Sequence, residues 1–188
     1  TMEGYILISW INDFVFCPAS IYYHNLYEDA DKIIYTDLPQ QKGTESHAAV
    51  DEKRYSGSKH ILQSINVCSN EYQVYGKIDI YNAKTKTLTE RKKKIKKIYD
   101  GYILQVYAQY LCLREMGYQV SQIEFYSHED NKIYPVPLPE NDPLMFDKFK
   151  MILKQMREFN MNNFEQENLS KCAGCIYNKI CERTSLDF

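Results

Sequence analysis

Residues 71–81 read EYQVYGKIDIY, followed by NAK at 82–84 and TKTLTERKK at 85–93. Branched and aromatic residues alternate with polar ones through both runs, the pattern of strands rather than helices. Tyr72, Val74, Gly76, Ile78 and Ile80 share one face of the first run, and Tyr75, Lys77, Asp79 and Tyr81 share the other. The polar stretch between the runs predicts a turn, so the strands pair as a hairpin that brings Asp79 beside Glu90. Alternation then places Glu90 and Lys92 on one face.

Working outward, Asp100 to Met116 predicts a long amphipathic helix, with Asp100 as N-cap and Gly117 at the C-terminal cap. Residues 120–127 and 132–136 predict a second hairpin, turning at Glu129-Asp130-Asn131. Asp142-Pro143 opens a further helix to about Phe159, with proline at its favoured first position. Upstream, Ser9 is expected to cap a short helix through Phe16 that buries Trp10, Ile11 and Phe14, and Pro18 breaks it. A second helical stretch covers Ala19 to Leu26, residues 30–42 read as loop, and a helix from about Thr44 to Arg54 carries His47. The alternation of helices and hairpins predicts an α/β fold with a mixed sheet flanked by helices, as one domain over residues 1–188.

A chain of 188 residues with 44% hydrophobic and 26% charged residues can bury a full core, which excludes a disordered segment. No run approaches the roughly 18 apolar residues of a membrane span, and no signal-peptide pattern opens the chain. A cytoplasmic protein is therefore expected, with Thr1 an added residue ahead of a native Met2. The net charge of −2 hides a basic block, RKKKIKK at 91–97, suited to a phosphate backbone. Seventeen tyrosines supply rings for a core or for stacking on bases.

Cys172, Cys175 and Cys181 follow a C-x2-C-x5-C spacing, one thiol short of a four-ligand site. Cys17, in Phe16-Cys17-Pro18, is the natural fourth and would staple the two end segments together. Four thiolates hold either zinc or an iron–sulfur cluster. Cys68 and Cys112 read as buried thiols. Two carboxylates converging from neighbouring strands, Asp79 and Glu90, suit a hard divalent cation. Lys92 beside them can orient a water and stabilise charge on phosphorus, and His47 can add a ligand. Gln105, on the following helix, can reach a phosphate or Lys92.

Taken in order, Phe16-Cys17-Pro18, Gly43-x3-His47, Gly76-x2-Asp79, Glu90-x-Lys92, Gln105-x3-Gln109 and Cys172-x2-Cys175-x5-Cys181 resemble the fourth CRISPR-associated protein family. The resemblance runs from about Ser9 to Cys181. It implies a RecB-like nuclease with a restriction-endonuclease-like PD-(D/E)xK core, its end segments joined by an iron–sulfur cluster. Asp79 and Glu90 would hold Mn2+ or Mg2+ with His47 and the backbone carbonyl of Arg91. Lys92 would be the catalytic lysine and Gln105 an accessory active-site residue. Cys17, Cys172, Cys175 and Cys181 would ligate a [4Fe-4S] cluster. The implied work is trimming single-stranded DNA overhangs for the CRISPR integrase. Two positions depart from the family: Ala19 stands where a basic residue is usual, and Arg114-Glu115 where an acidic pair is. Two other functions fit the same residues, a non-cleaving module that recognises a DNA motif or the integrase, and a RecB-like repair nuclease.

Overall fold

The run at 71–81 forms two strands, not one, and the break at Ile78–Asp79 organises the molecule. The computed structural model describes residues 4–27 and 60–184. Strand β1 (Ile6–Leu7) leads straight into helix α1 (Ile8–Phe16), and α2 (Pro18–Tyr27) follows Cys17. Five strands come next: β2 (Ile61–Gln63), β3 (Asn66–Ser69), β4 (Val74–Lys77), β5 (Ile80–Asn82) and β6 (Thr87–Lys92). Helix α3 (Asp100–Glu115) crosses to β7 (Gln122–Ser127), which pairs with β8 (Lys132–Val136). Helices α4 (Pro143–Glu158) and α5 (Leu169–Ala173) follow.

The strands form two mixed sheets flanked by helices, ordered β1-β4-β3 and β2-β5-β6-β7-β8. β6 and β7 run parallel, and such a pair needs a crossover, here α3. The segments β2–β3 and β4–β5 are one long hairpin bent at the same level in both arms. Ser64 adopts a left-handed φ of 53° there. Its N–H donates to the Asp79 carbonyl at 3.0 Å, and the Ile78 N–H donates to the Ile65 carbonyl at 3.1 Å. The expectation of one continuous strand fails because the partner arm turns at Ser64 and the run stays hydrogen-bonded to it on both sides of that turn. β2 and β3 were not expected at all, since ILQSINVCS lacks a clean two-residue alternation.

Helix α3 is the spine. Val106 through Tyr110 are five consecutive buried residues, so it is covered on nearly every side rather than amphipathic as expected. It packs on α1, α4, β3 and β4. Its N-cap is Tyr99, and Asp100 instead begins the helix and ion-pairs with Lys148 of α4. Gly117 closes it at φ 89°, a conformation that favours glycine. Asp142 caps α4 by accepting the Met145 N–H at 3.1 Å. In α1 the helix starts before Ser9, which is exposed, so Ile8, Ile11 and Phe14 form the buried stripe and Trp10 is only half-buried.

α1 meets α3 closely at Gly101. A methyl group there would lie 2.5 Å from Asn12 Oδ1 and 3.2 Å from Asn12 Cα. The amide end can swing away but the backbone cannot, so Gly101→Ala is expected to cost about 1–3 kcal/mol. A thermal melt should show the midpoint lower by roughly 2–10 °C, and an unchanged midpoint would mean the helices are free to separate.

The end segments meet in a second, smaller apolar cluster built on Cys17, Ala19, Tyr23 and Tyr177. Tyr23 stacks on Tyr177 at 5.8 Å, and its hydroxyl accepts the Glu182 N–H at 2.9 Å. Lys171 Nζ donates to the Val15 carbonyl at 3.1 Å. Among the described residues no helix is long and apolar enough to cross a membrane. The expected loop at 30–42, the helix at 44–54 and His47 lie outside the described residues.

Candidate active site

Glu90, Lys92 and Leu88 share the face of β6 that turns towards α3, and the alternation that puts them there was legible in the sequence. Leu88 is fully buried, and so is Phe125, which stands opposite Glu90 on β7. Glu90 is therefore a carboxylate in an apolar setting, 1% exposed, and needs partners. Three side chains supply them. Lys92 Nζ donates to Oε1 at 3.0 Å, Gln105 Nε2 to Oε1 at 2.9 Å, and Gln109 Nε2 to Oε2 at 2.9 Å. Gln105 also offers its carbonyl oxygen to Lys92 Nζ at 3.4 Å, and the Tyr102 ring lies 4.8 Å from the same nitrogen. Residues 102, 105 and 109 stand three and four apart, so one stripe of α3 faces the site.

Asp79 reaches it from the bend. β5 and β6 pair Ile80 with Thr89, and continuing that register by one residue sets Asp79 against Glu90. Its carboxylate, 8% exposed, accepts the Arg91 N–H at 2.8 Å across the two strands. Without the bend Asp79 would sit mid-strand, and the bend places it where β5 begins.

Burial presses Lys92 towards its neutral form, but Glu90, at hydrogen-bond range, and then Asp79 reverse this and hold its pKa above the ordinary lysine value. Lys92 is thus a cation near neutral pH and cannot serve there as a proton acceptor. It neutralises charge and donates hydrogen bonds.

Asp13 of α1 went unnoticed in the sequence. Burial pushes its carboxyl above the usual carboxylate range, against the pull of His24 and of Lys92. A raised aspartate penalises folding once it ionises, and the penalty disappears as pH falls below the ordinary value of 3.8. Asp13→Asn is therefore expected to melt higher than the parent at neutral pH, with the gap closing as the pH approaches that value. An equal gap at all pH values would mean the carboxyl is not desolvated. No motif flagged Asp13, because nothing local shows that α1 lies against the lysine.

The oxygen donors fit a hard divalent cation. Asp79 and Glu90 face one another beside the backbone of Arg91, whose side chain is 2% exposed and lies on the opposite strand face from Glu90. Among the described residues no group of three or more His, Cys, Asp or Glu side chains forms a metal-ion site. Two carboxylates and a carbonyl fall below that number, and His47 lies outside the described residues. Gln109 Oε1 is buried with no hydrogen-bond partner among the described residues. That costs about 1–3 kcal/mol, which the residue tolerates while gripping Glu90.

The four cysteines also come together. Cys17, Cys172, Cys175 and Cys181 line one small pocket, partly open to solvent, with Gln166, Lys171, Asn178 and Thr184. All four are free thiols. Burial raises the Cys175 thiol, and the other three cysteines add to the effect. Cys112 lies in the main core instead, where burial pushes it up to about 12, so it stays an inert thiol. Cys68, expected to be buried, is half-buried on β3. Ala19 is 1% exposed, packed in the small apolar cluster with Cys17.

The basic block divides by role. Arg91 is buried and Lys92 is in the site. Lys93 and Lys94 pair with Glu129 at 3.5 and 3.3 Å. Lys96 and Lys97 are exposed, without a carboxylate partner among the described residues.

No family model matches the chain, and no curated protein does. Among solved structures, the crystal structure of SSO0001 is similar over 97% of this chain and 88% of its own, with 15% identity and a TM-score of 0.63. At that identity the likeness concerns the fold alone.

Proposed function

We propose that the chain is a metal-dependent nuclease acting on single-stranded DNA ends, with a restriction-endonuclease-like core in one domain. The observation that carries this is the buried Glu90, gripped by Lys92, Gln105 and Gln109 and faced by Asp79 across the strand pair. A carboxylate pair with an adjacent protonated lysine is the donor set of phosphodiester hydrolysis.

In this reading Asp79, Glu90 and the Arg91 carbonyl hold Mg2+ or Mn2+, with His47 as a further ligand. The cation, when bound, polarises the phosphate and lowers the pKa of a water. Lys92 donates hydrogen bonds to the attacking water or phosphate and offsets the charge that gathers on phosphorus. Gln105 keeps Lys92 aimed, Gln109 keeps Glu90 aimed, and the Tyr102 ring covers the lysine from the side.

The four cysteines are proposed to hold a [4Fe-4S] cluster. The cluster is preferred to zinc because Cys17 lies far from the other three in sequence, leaving one C-x2-C pair where zinc sites more often show two. Its role would be structural, fixing the end segments beside the catalytic face. In the cell the proposed setting is CRISPR adaptation in the cytoplasm, trimming spacer precursors with the integrase.

The test is cleavage of a duplex carrying a single-stranded overhang, with Mn2+ and with chelator. Overhang loss that needs the metal supports the reading. Binding without cutting would make the chain a recognition module, and failure to co-elute with the integrase would favour a repair role.

A further inference from the structure

Tyr99 is 53% exposed at the start of α3, and its surroundings set it apart from an ordinary surface aromatic. Its ring meets Tyr102 edge to face at 5.7 Å, and Tyr102 meets Phe125 at 6.1 Å, so one side of Tyr99 is braced by the core. Tyr102 in turn covers Lys92 Nζ at 4.8 Å. Lys97 Nζ lies over the Tyr99 ring, 5.6 Å from its centroid, so a base stacking on that face would displace it towards a phosphate, and Lys96 is exposed close by. Buried Ile95, whose N–H donates to Ser127 Oγ at 3.2 Å, pins the loop so that these lysines point outward.

We propose that Tyr99 is a stacking platform for a nucleobase of single-stranded DNA on its way to Lys92, with Lys96 and Lys97 holding the phosphates on either side. Tyr99 lies within about 11 Å of Lys92 Nζ, adding the two ring steps. That is two or three stacked bases at about 3.4 Å each. A base stacks on a ring whatever its identity, so the platform selects unpaired over paired DNA without reading sequence. Bases inside a duplex, stacked on both faces, cannot use it. The inference rests on the nuclease reading and specifies which ends that site accepts.

The experiment is fluorescence anisotropy with a labelled oligothymidine and with a blunt duplex, without added metal. Tyr99→Ala should weaken single-strand binding roughly tenfold, Tyr99→Trp should retain it, and duplex binding should be the same for all three proteins. In Tyr99→Trp the added indole fluorescence should fall as the oligonucleotide binds. Tyr99→Ala binding the single strand as tightly as the parent overturns the platform and leaves the nuclease reading intact. Equal losses for single strand and duplex overturn it too, because that is a charge or folding effect. Glu90→Gln cutting like the parent sinks the nuclease reading whatever Tyr99 does.

Discussion

Glu90→Gln is expected to lower metal-dependent cleavage of overhang DNA by at least about a thousandfold, because members of a cooperating catalytic group fail together. The substitution keeps shape and removes charge. Gln105 and Gln109 both donate amide hydrogens to the two Glu90 oxygens. A glutamine there turns its own NH2 against one of them, so the side chain rotates or a bond is lost. Lys92 loses its main counter-ion but keeps Asp79 and the Tyr102 ring. Removing one partner of a buried ion pair should lower the melting midpoint, while circular dichroism should still match the parent below it. Calorimetric titration with Mn2+ should show weaker binding. Undiminished cleavage by a preparation free of contaminating nuclease would remove Glu90, and the site with it, from the chemistry.

Cys172→Ser carries the second large effect. Protein purified without oxygen is expected to be brown, with broad visible absorption, and the variant colourless with little iron. The melting midpoint should fall by about 10 °C, equivalent to some 3–5 kcal/mol in a chain of this size. The reason is spatial: Cys172 is 6% exposed, on the wall shared with Cys17, and among the described residues no disulfide joins the end segments. What remains is the Tyr23–Tyr177 stack and a few hydrogen bonds. Cys68→Ser is the control, since Cys68 sits on β3 away from the cavity, and it should stay brown. A colourless parent protein that contains zinc would rule out the cluster and leave the nuclease site untouched.

The hairpin carrying Asp79, Glu90 and Lys92 was legible because a two-residue period survives in a short window. The Gln105–Gln109 pair was legible because four residues make a helical turn. Helix ends held where chemistry is local, as at Asp142-Pro143 and Gly117, and slipped at Ser9 and Asp100, where packing moved the boundary. The bend at Ile78–Asp79 was hidden, since its cause lies in the partner strand at Ser64. Asp13 and Tyr102 were hidden for the same reason: each gains meaning only from a neighbour distant in sequence. The near-complete burial of α3 could not be read from its own residues, because the elements that cover it come from both ends of the chain.

The docking of α1 and Cys17 against residues 164–184 also has a consequence in time. At about 5–20 residues per second of synthesis, the first helix emerges many seconds before the partners of Cys17 exist. Ala19 and Tyr23, buried in the finished molecule beside Tyr177, spend that interval without it. The proposed cluster can be loaded only after Cys181 has left the ribosome, so yield in a foreign host should depend on iron supply.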